Sequence, residues 1–248
     1  MLGVPIDVLS ADIAVRRISA WAQAHESRYV CICNAHSVVT ATQSAPFRAV
    51  LAGADMATPD GAPVAWMLKR QGASAQQRVS GPDLMLDYCA HAARTGESIY
   101  LLGSTETTLA ALVGTLQARW PDLRIAGTES PPFREPTPEE GAQTVARINA
   151  SGAGTVWVSL GCPKQESWMA AHRGRVQAVM VGVGAAFDFH AGTVARAPLW
   201  MRESGLEWLH RLISEPRRLW RRYLVTNLAF MIGAARQLVT RSSGSPGT

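Results

Sequence analysis

Four short runs of this chain combine residue types and spacings that could do chemistry. Asp60 lies in TPDGAP (58–63), between an apolar segment and a helical pattern. There its carboxylate could act as a general base, or cap a helix or turn, as Asp-Gly favours. Arg78 opens RVSGPDLM (78–85), where a guanidinium beside a Ser-Gly-Pro helix entry suits a pyrophosphate. A surface arginine with Pro82 at the first helical position explains the same run. LGCPKQE (160–166) sets Gly161 before a proline and puts Lys164, Gln165 and Glu166 in the first turn of a helix. Those polar groups would either face a ligand or serve as caps. VGVGAAFDFHAG (181–192) brings Gly184 and Asp188 into a glycine-lined turn. It approaches a dinucleotide fingerprint, but Phe187 occupies the third glycine position and is too bulky for the close packing needed there. Asp188 would then contact a base or sugar hydroxyl. His36 and His190 lie where a ligand could reach them.

These runs fall at one kind of place. Expected strands are Tyr29–Cys33, Met56–Thr58, Ser98–Leu102, Leu123–Gly127, Thr155–Leu160 and Ala178–Gly182, with helices near 37–51, 62–71, 82–95, 105–119, 137–150 and 164–171. Near-continuous apolar strands alternating with helices predict an α/β fold, a Rossmann-like, mostly parallel sheet covered on both faces. Such sheets bind ligands at the carboxyl ends of their strands. Asn34, Asp60, Gly103 and Gly161 all follow strands there. The proline-rich stretch 128–136 is long enough to be a flap over that edge.

The last fifth of the chain differs in kind. Arg196 to Arg241 holds nine arginines, no lysine and three acids, a net charge of +6, against +5 for the whole chain. The basic character is local. On a helical projection of 217–231, Arg217, Arg218, Arg221 and Arg222 gather on one side and Leu219, Trp220, Tyr223, Phe230 and Met231 on the other. That pattern fits an anionic lipid interface or a helix packed on its own domain. Charge alone would also suit nucleic acid, but no reader motif accompanies it. We therefore expect a catalytic core over 1–195, a helical membrane-targeting appendage over 196–241 and a disordered tail over 242–248. No apolar run approaches the ~20 residues of a spanning helix. The N-terminus carries acids where a signal peptide needs an apolar core. Cys31, Cys33, Cys89 and Cys162 have no metal-ligand spacing and read as thiols of a reducing compartment.

In order, VCICNAHSVV, ATPDGAPVAW, QRVSGPDLM, YLLGS, VSLGCPKQESWM and GVGAAFDFHAGTVARAPLWMRESGLEWLHRLISEPRRLWRRYL resemble the WecG/TagA/CpsF glycosyltransferase family. The last run, with RAP, GLEW and EPRR in fixed order, is the most specific. The resemblance covers roughly residues 3–225. It implies an inverting enzyme that moves a sugar from a UDP-sugar to a polyprenyl-pyrophosphate-linked saccharide, peripheral on the cytoplasmic face of the membrane. The sequence carries no metal-binding DxD motif, so no cofactor and no metal are expected. Homo-oligomerisation is compatible with the resemblance. By the resemblance Asp60 is the catalytic base, Gln165 an active-site polar residue, Arg78 a phosphate contact and Asp188 a nucleotide contact. Asn34 falls on the family's asparagine after the first strand. Arg211, Arg217, Arg218, Arg221 and Arg222 fall in an appendage that meets the membrane and closes over the site. Some members carry Thr two residues before that asparagine; here Ile32 removes any hydroxyl contact. The alternatives are a nicotinamide oxidoreductase and a non-catalytic membrane-binding module.

Overall fold

The computed structural model describes residues 1–242, without the side chains of Arg218, Arg221, Arg222, Arg241 and Ser242. The tail expected at 242–248 therefore lies, after its first residue, outside the described residues. Six strands form one sheet: β1 (Arg28–Cys33), β2 (Met56–Pro59), β3 (Ser98–Gly103), β4 (Arg124–Glu129), β5 (Thr155–Ser159) and β6 (Val179–Gly182). The order is β2-β1-β6-β5-β3-β4 and every pairing is parallel. An all-parallel sheet must be covered on both faces, and the strand sequences show it. In β1, Val30 and Ile32 enter one core while Tyr29, Cys31 and Cys33 enter the other. In β5, Trp157 faces the first and Val156 and Val158 the second.

The first face is covered by α1 (Ala11–Gln23), α5 (Gly81–Thr95), α6 (Glu106–Arg119) and α9 (Ala186–His190). The second carries α2 (Ala35–Gln43), α3 (Ala45–Ala52), α7 (Pro138–Ser151) and α8 (Lys164–His172). Helix α4 (Ala62–Arg70) joins α2 in a third, smaller core. The segment after α9 folds as α10 (Leu199–Glu203), α11 (Glu207–Ser214) and α12 (Pro216–Ser242).

Three expectations change. Helix α1 was not among the expected elements, although Ser10 caps it through a bond from the Ile13 N–H and Ala14, Ile18 and Ala22 give it a buried stripe. The single helix expected over 37–51 is two. Ser44 is extended and caps α3 with its hydroxyl, and Pro46 fits the first turn of a helix but not its interior. The proline-rich loop after β4 is no flap. Strand β4 is the sheet edge farthest from β2, and Ser130 ties the loop to the Ser104 carbonyl at 2.7 Å.

Helix α12 lies against α2 and α4 through Phe230 and Ala234, with Leu2 and Ile6 of the N-terminal segment packed beside them. Its buried positions are Leu219, Thr226, Phe230 and Ala234, one face at helical spacing. Trp220 and Met231, expected on that face, point outward instead. They join Leu224, Val225, Leu228 and Ile232 in an exposed apolar stripe. Phe230 and Trp220 are only about 80° apart in helical phase, yet contact with α2 and α4 covers the first and leaves the second exposed.

Gly103 has a structural task. Its φ is +123°, and a Cβ there would stand 2.4 Å from the Ser159 carbonyl oxygen on β5. Backbone cannot yield as a side-chain tip would, so Gly103→Ala should destabilise the fold by on the order of 2–3 kcal/mol. Thermal unfolding would read this as a fall of roughly 5–10 °C; an unchanged midpoint would contradict it.

Candidate active site

A cleft of about 280 Å³ opens at the carboxyl ends of β2, β1, β6 and β5. Helix N-termini surround it: Asn34-Ala35 of α2, Gly61-Ala62 of α4, Ser80-Gly81 of α5, and Gln165 in the first turn of α8. Helix N-termini favour anions, and here Asn34 Oδ1 and Ser80 Oγ already cap two of them. The entry to α5 is held close. A Cβ on Gly81 would meet the Val183 carbonyl oxygen at 3.0 Å.

Asp60 follows β2 and lines this cleft. Its Oδ1 accepts the Gly61 N–H at 2.7 Å, and among the described residues no donor reaches Oδ2. Burial raises its carboxyl from the ordinary 3.8 to about 6. The Arg78 charge and the Gly61 N–H pull the other way, while Glu207 and Asp83 add to the rise. A carboxylate poised near neutrality is suited to general-base work.

Arg78 lines the same cleft and donates to Glu207 Oε2 at 2.6 Å. Its second terminal nitrogen stands 3.7 Å from Asp83. Asp83 in turn receives a fork from Arg196 at 2.7 and 2.8 Å, with Arg202 at 3.5 Å. Burial would raise the Asp83 carboxyl, but the bonds from Arg196 and the Ser80 hydroxyl outweigh it and hold it at about 2. This network ties α10 and α11 to the N-terminus of α5. Apart from Arg78, its members had no role assigned from sequence. Arg196 of RAP and Glu207 of GLEW were visible only as motif letters, because their partners lie more than a hundred residues earlier.

Asn34 caps α2, its Oδ1 accepting the N–H groups of His36 and Ser37 at 3.0 and 3.2 Å. Among the described residues its amide nitrogen has no hydrogen-bond partner. Gln165 is buried, accepts the Gly184 N–H at 3.0 Å and donates to Glu166 at 2.9 Å. Ser159 donates to the Gly184 carbonyl at 2.6 Å. The Gly184 peptide is thus fixed at both ends, in a turn whose φ of +57° favours glycine.

The cleft brings together Asn34, Asp60, Arg78, Gly161, Gln165 and Gly184, with Arg211 from α11. Three other sequence candidates stand outside its wall. Gly103 packs on β5, Lys164 is exposed at the start of α8, and Asp188 receives the Ser104 hydroxyl at 3.3 Å beyond the end of β3. Arg217 is exposed on α12, and the side chains of Arg218, Arg221 and Arg222 lie outside the described residues. His190 is held by the Pro82 carbonyl at 2.9 Å, whereas His36 reaches the cleft. Phe187 is fully buried in the core of the first face, where a dinucleotide fingerprint needs a glycine.

The segment after α9 completes the cleft. Glu207, Trp208 and Arg211 of α11 and Tyr223, Thr226 and Asn227 of α12 form one wall. Arg211 lies over the Phe189 ring at 5.5 Å. A carboxylate raised toward neutrality beside an arginine, at the carboxyl edge of a parallel sheet, suits transfer of a phosphate-linked group. A family model described as "Glycosyl transferase WecG/TagA/CpsF family" matches residues 1–244.

Proposed function

The chain belongs to the glycosyl transferase WecG/TagA/CpsF family, and from that premise we propose that it moves a sugar from a UDP-sugar to a polyprenyl-pyrophosphate-linked saccharide, with inversion, in cell-surface polysaccharide assembly. The observation that carries this reading is Asp60. It is a carboxylate raised to about 6 by burial, inside a ring of helix N-termini that also holds Arg78.

The step is a single displacement. Asp60 takes the proton of an acceptor hydroxyl as its oxygen attacks the anomeric carbon. The bond from that carbon to the diphosphate oxygen breaks, and the electron pair leaves with UDP. The charge that develops on the diphosphate is met by Arg78, Arg211 and the N-termini of α4 and α5. Gln165 acts by fixing Gly184 rather than by touching the reacting atoms. The donor is an N-acetylmannosamine, its uronic acid or a glucose in this proposal. A screen of UDP-sugars with membrane-extracted acceptor tests it by release of UDP. Failure of every donor, together with no calorimetric affinity for UDP, would sink it. NADH binding in a fluorescence titration would favour the oxidoreductase instead.

We further assign residues 196–241 to the inner membrane surface as an appendage to a 1–195 core. No helix among the described residues is long and apolar enough to cross a membrane. The support is the exposed stripe of α12, the exposed Leu199 and Trp200 of α10, and the arginine-rich sequence of 217–222. A buried leucine is worth about 1.5–3 kcal/mol. Leu224→Glu with Leu228→Glu should therefore lower affinity for phosphatidylglycerol vesicles at least tenfold without unfolding the chain, since both side chains are exposed. Unchanged sedimentation with vesicles would remove α12 from the membrane contact.

A further inference from the structure

The two sides of the cleft differ in chemistry. The groups suited to a diphosphate, Arg78 and the N-terminus of α5, come from the sheet face that carries α1, α5, α6 and α9. The opposite side is α12, stacked on α2, whose cleft-lining residues carry no charge; α11 bridges the two sides, its Glu207 bonded to Arg78 and its Trp208 packed on Tyr223. It presents Tyr223, Thr226 and Asn227 at spacing i, i+3, i+4, one helical face. Trp208 of α11 meets Tyr223 with ring centroids 5.9 Å apart and planes at 59°, and it remains 38% exposed. An indole and a phenol beside a hydroxyl and a carboxamide, in a cleft, have the composition of a neutral polyhydroxyl site. Aromatic faces cover the apolar C–H faces of a sugar ring, and polar tips bond its hydroxyls. Asp60 stands at a strand end between the two sides.

We infer that the α11–α12 wall is the saccharide subsite for the acceptor, with Trp208 and Tyr223 as its stacking platform and Thr226 and Asn227 as its hydrogen-bonding groups. This rests on the transferase reading above. In a single displacement the nucleophile arrives opposite the leaving group. A diphosphate held on the α5 side therefore requires the acceptor on the α12 side, with Asp60 within reach of its hydroxyl. The rings would then select for a sugar at the acceptor's pyrophosphate end, independently of the lipid chain.

Calorimetry with the full chain separates these statements. The probes are a short-chain prenyl-pyrophosphate-linked N-acetylhexosamine and the same prenyl pyrophosphate without its sugar. The wild type should bind the sugar-bearing probe at least tenfold tighter. Trp208→Leu and Tyr223→Leu should each erase that advantage while leaving UDP affinity within about twofold, and Trp208→Phe should restore part of it. Intact UDP affinity also reports that the variants are folded. Equal wild-type affinity for the two probes would overturn the subsite. So would loss of UDP affinity with the sugar advantage retained, which would give the rings to the nucleotide. A wild type that binds no UDP would instead sink the transferase reading, a result the probe pair does not share.

Discussion

Asp60→Asn should lose 10²–10⁴ of turnover while becoming the more stable protein at neutral pH. Both effects come from one cause. Burial raises the Asp60 carboxyl to about 6 from 3.8, so the folded chain holds that proton more tightly than the unfolded one. Stability contributed by the protonated group is complete below about pH 4 and is lost as pH rises through about 6. Above that, the charged carboxylate costs the fold on the order of 3 kcal/mol, at about 1.4 kcal/mol per unit. Asparagine keeps an oxygen to accept the Gly61 N–H and never ionises. At pH 8 it should gain roughly 1–3 kcal/mol, or roughly 3–10 °C in Tm, and the gain should vanish near pH 4. In the wild type kcat/KM should fall with one proton below about pH 6, because the base must be ionised. UDP affinity should stay nearly intact. Retention of more than a tenth of wild-type turnover would take the role of base away from Asp60.

How far such a site can be read from sequence depends on what fixes each residue. The strands were legible because a parallel sheet buried on both faces demands continuous apolar runs, and 29–33, 155–160 and 178–182 are such runs. Asn34, Asp60 and Gly161 follow from them, since strand ends in this fold converge on one edge. Gly103 follows a strand too, but its place is governed by contact with β5. Asp188 sits in the glycine-rich turn by sequence, yet a short helix turns it toward Ser104 and away from the cleft. The faces of α12 were ambiguous because it is apolar over more than half its circumference. Local pattern cannot choose between two apolar sides when a distant helix makes the choice. Glu207 was invisible as a site residue for the same reason. Its meaning lies in Arg78, 129 positions away.

That pair carries the second large effect. Arg78→Met should weaken UDP binding and lower turnover by roughly 10²–10³, the cost of losing one preorganised donor to developing charge. It should also destabilise the fold, because Glu207 would be left largely buried beside Arg196 alone, at 3.6 Å; removing one partner of a charged hydrogen bond costs about 1–3 kcal/mol. Glu207→Gln acts in the opposite sense on binding. The guanidinium already gives one terminal nitrogen to Glu207 at 2.6 Å and faces Asp83 with the other at 3.7 Å. A diphosphate that takes both nitrogens must displace a carboxylate, and an amide competes far less well than an anion for arginine. UDP should therefore bind Glu207→Gln about three- to tenfold more tightly, with a weaker attachment of α11 to α5. In the double variant Arg78→Met with Glu207→Gln, the stability loss should shrink, since no buried charge remains unpaired, while the loss of UDP affinity should persist. Calorimetric titration with UDP and thermal unfolding of the four proteins form one thermodynamic cycle. If Glu207→Gln weakens UDP binding as much as Arg78→Met does, the carboxylate orients the arginine for the phosphate instead of competing with it.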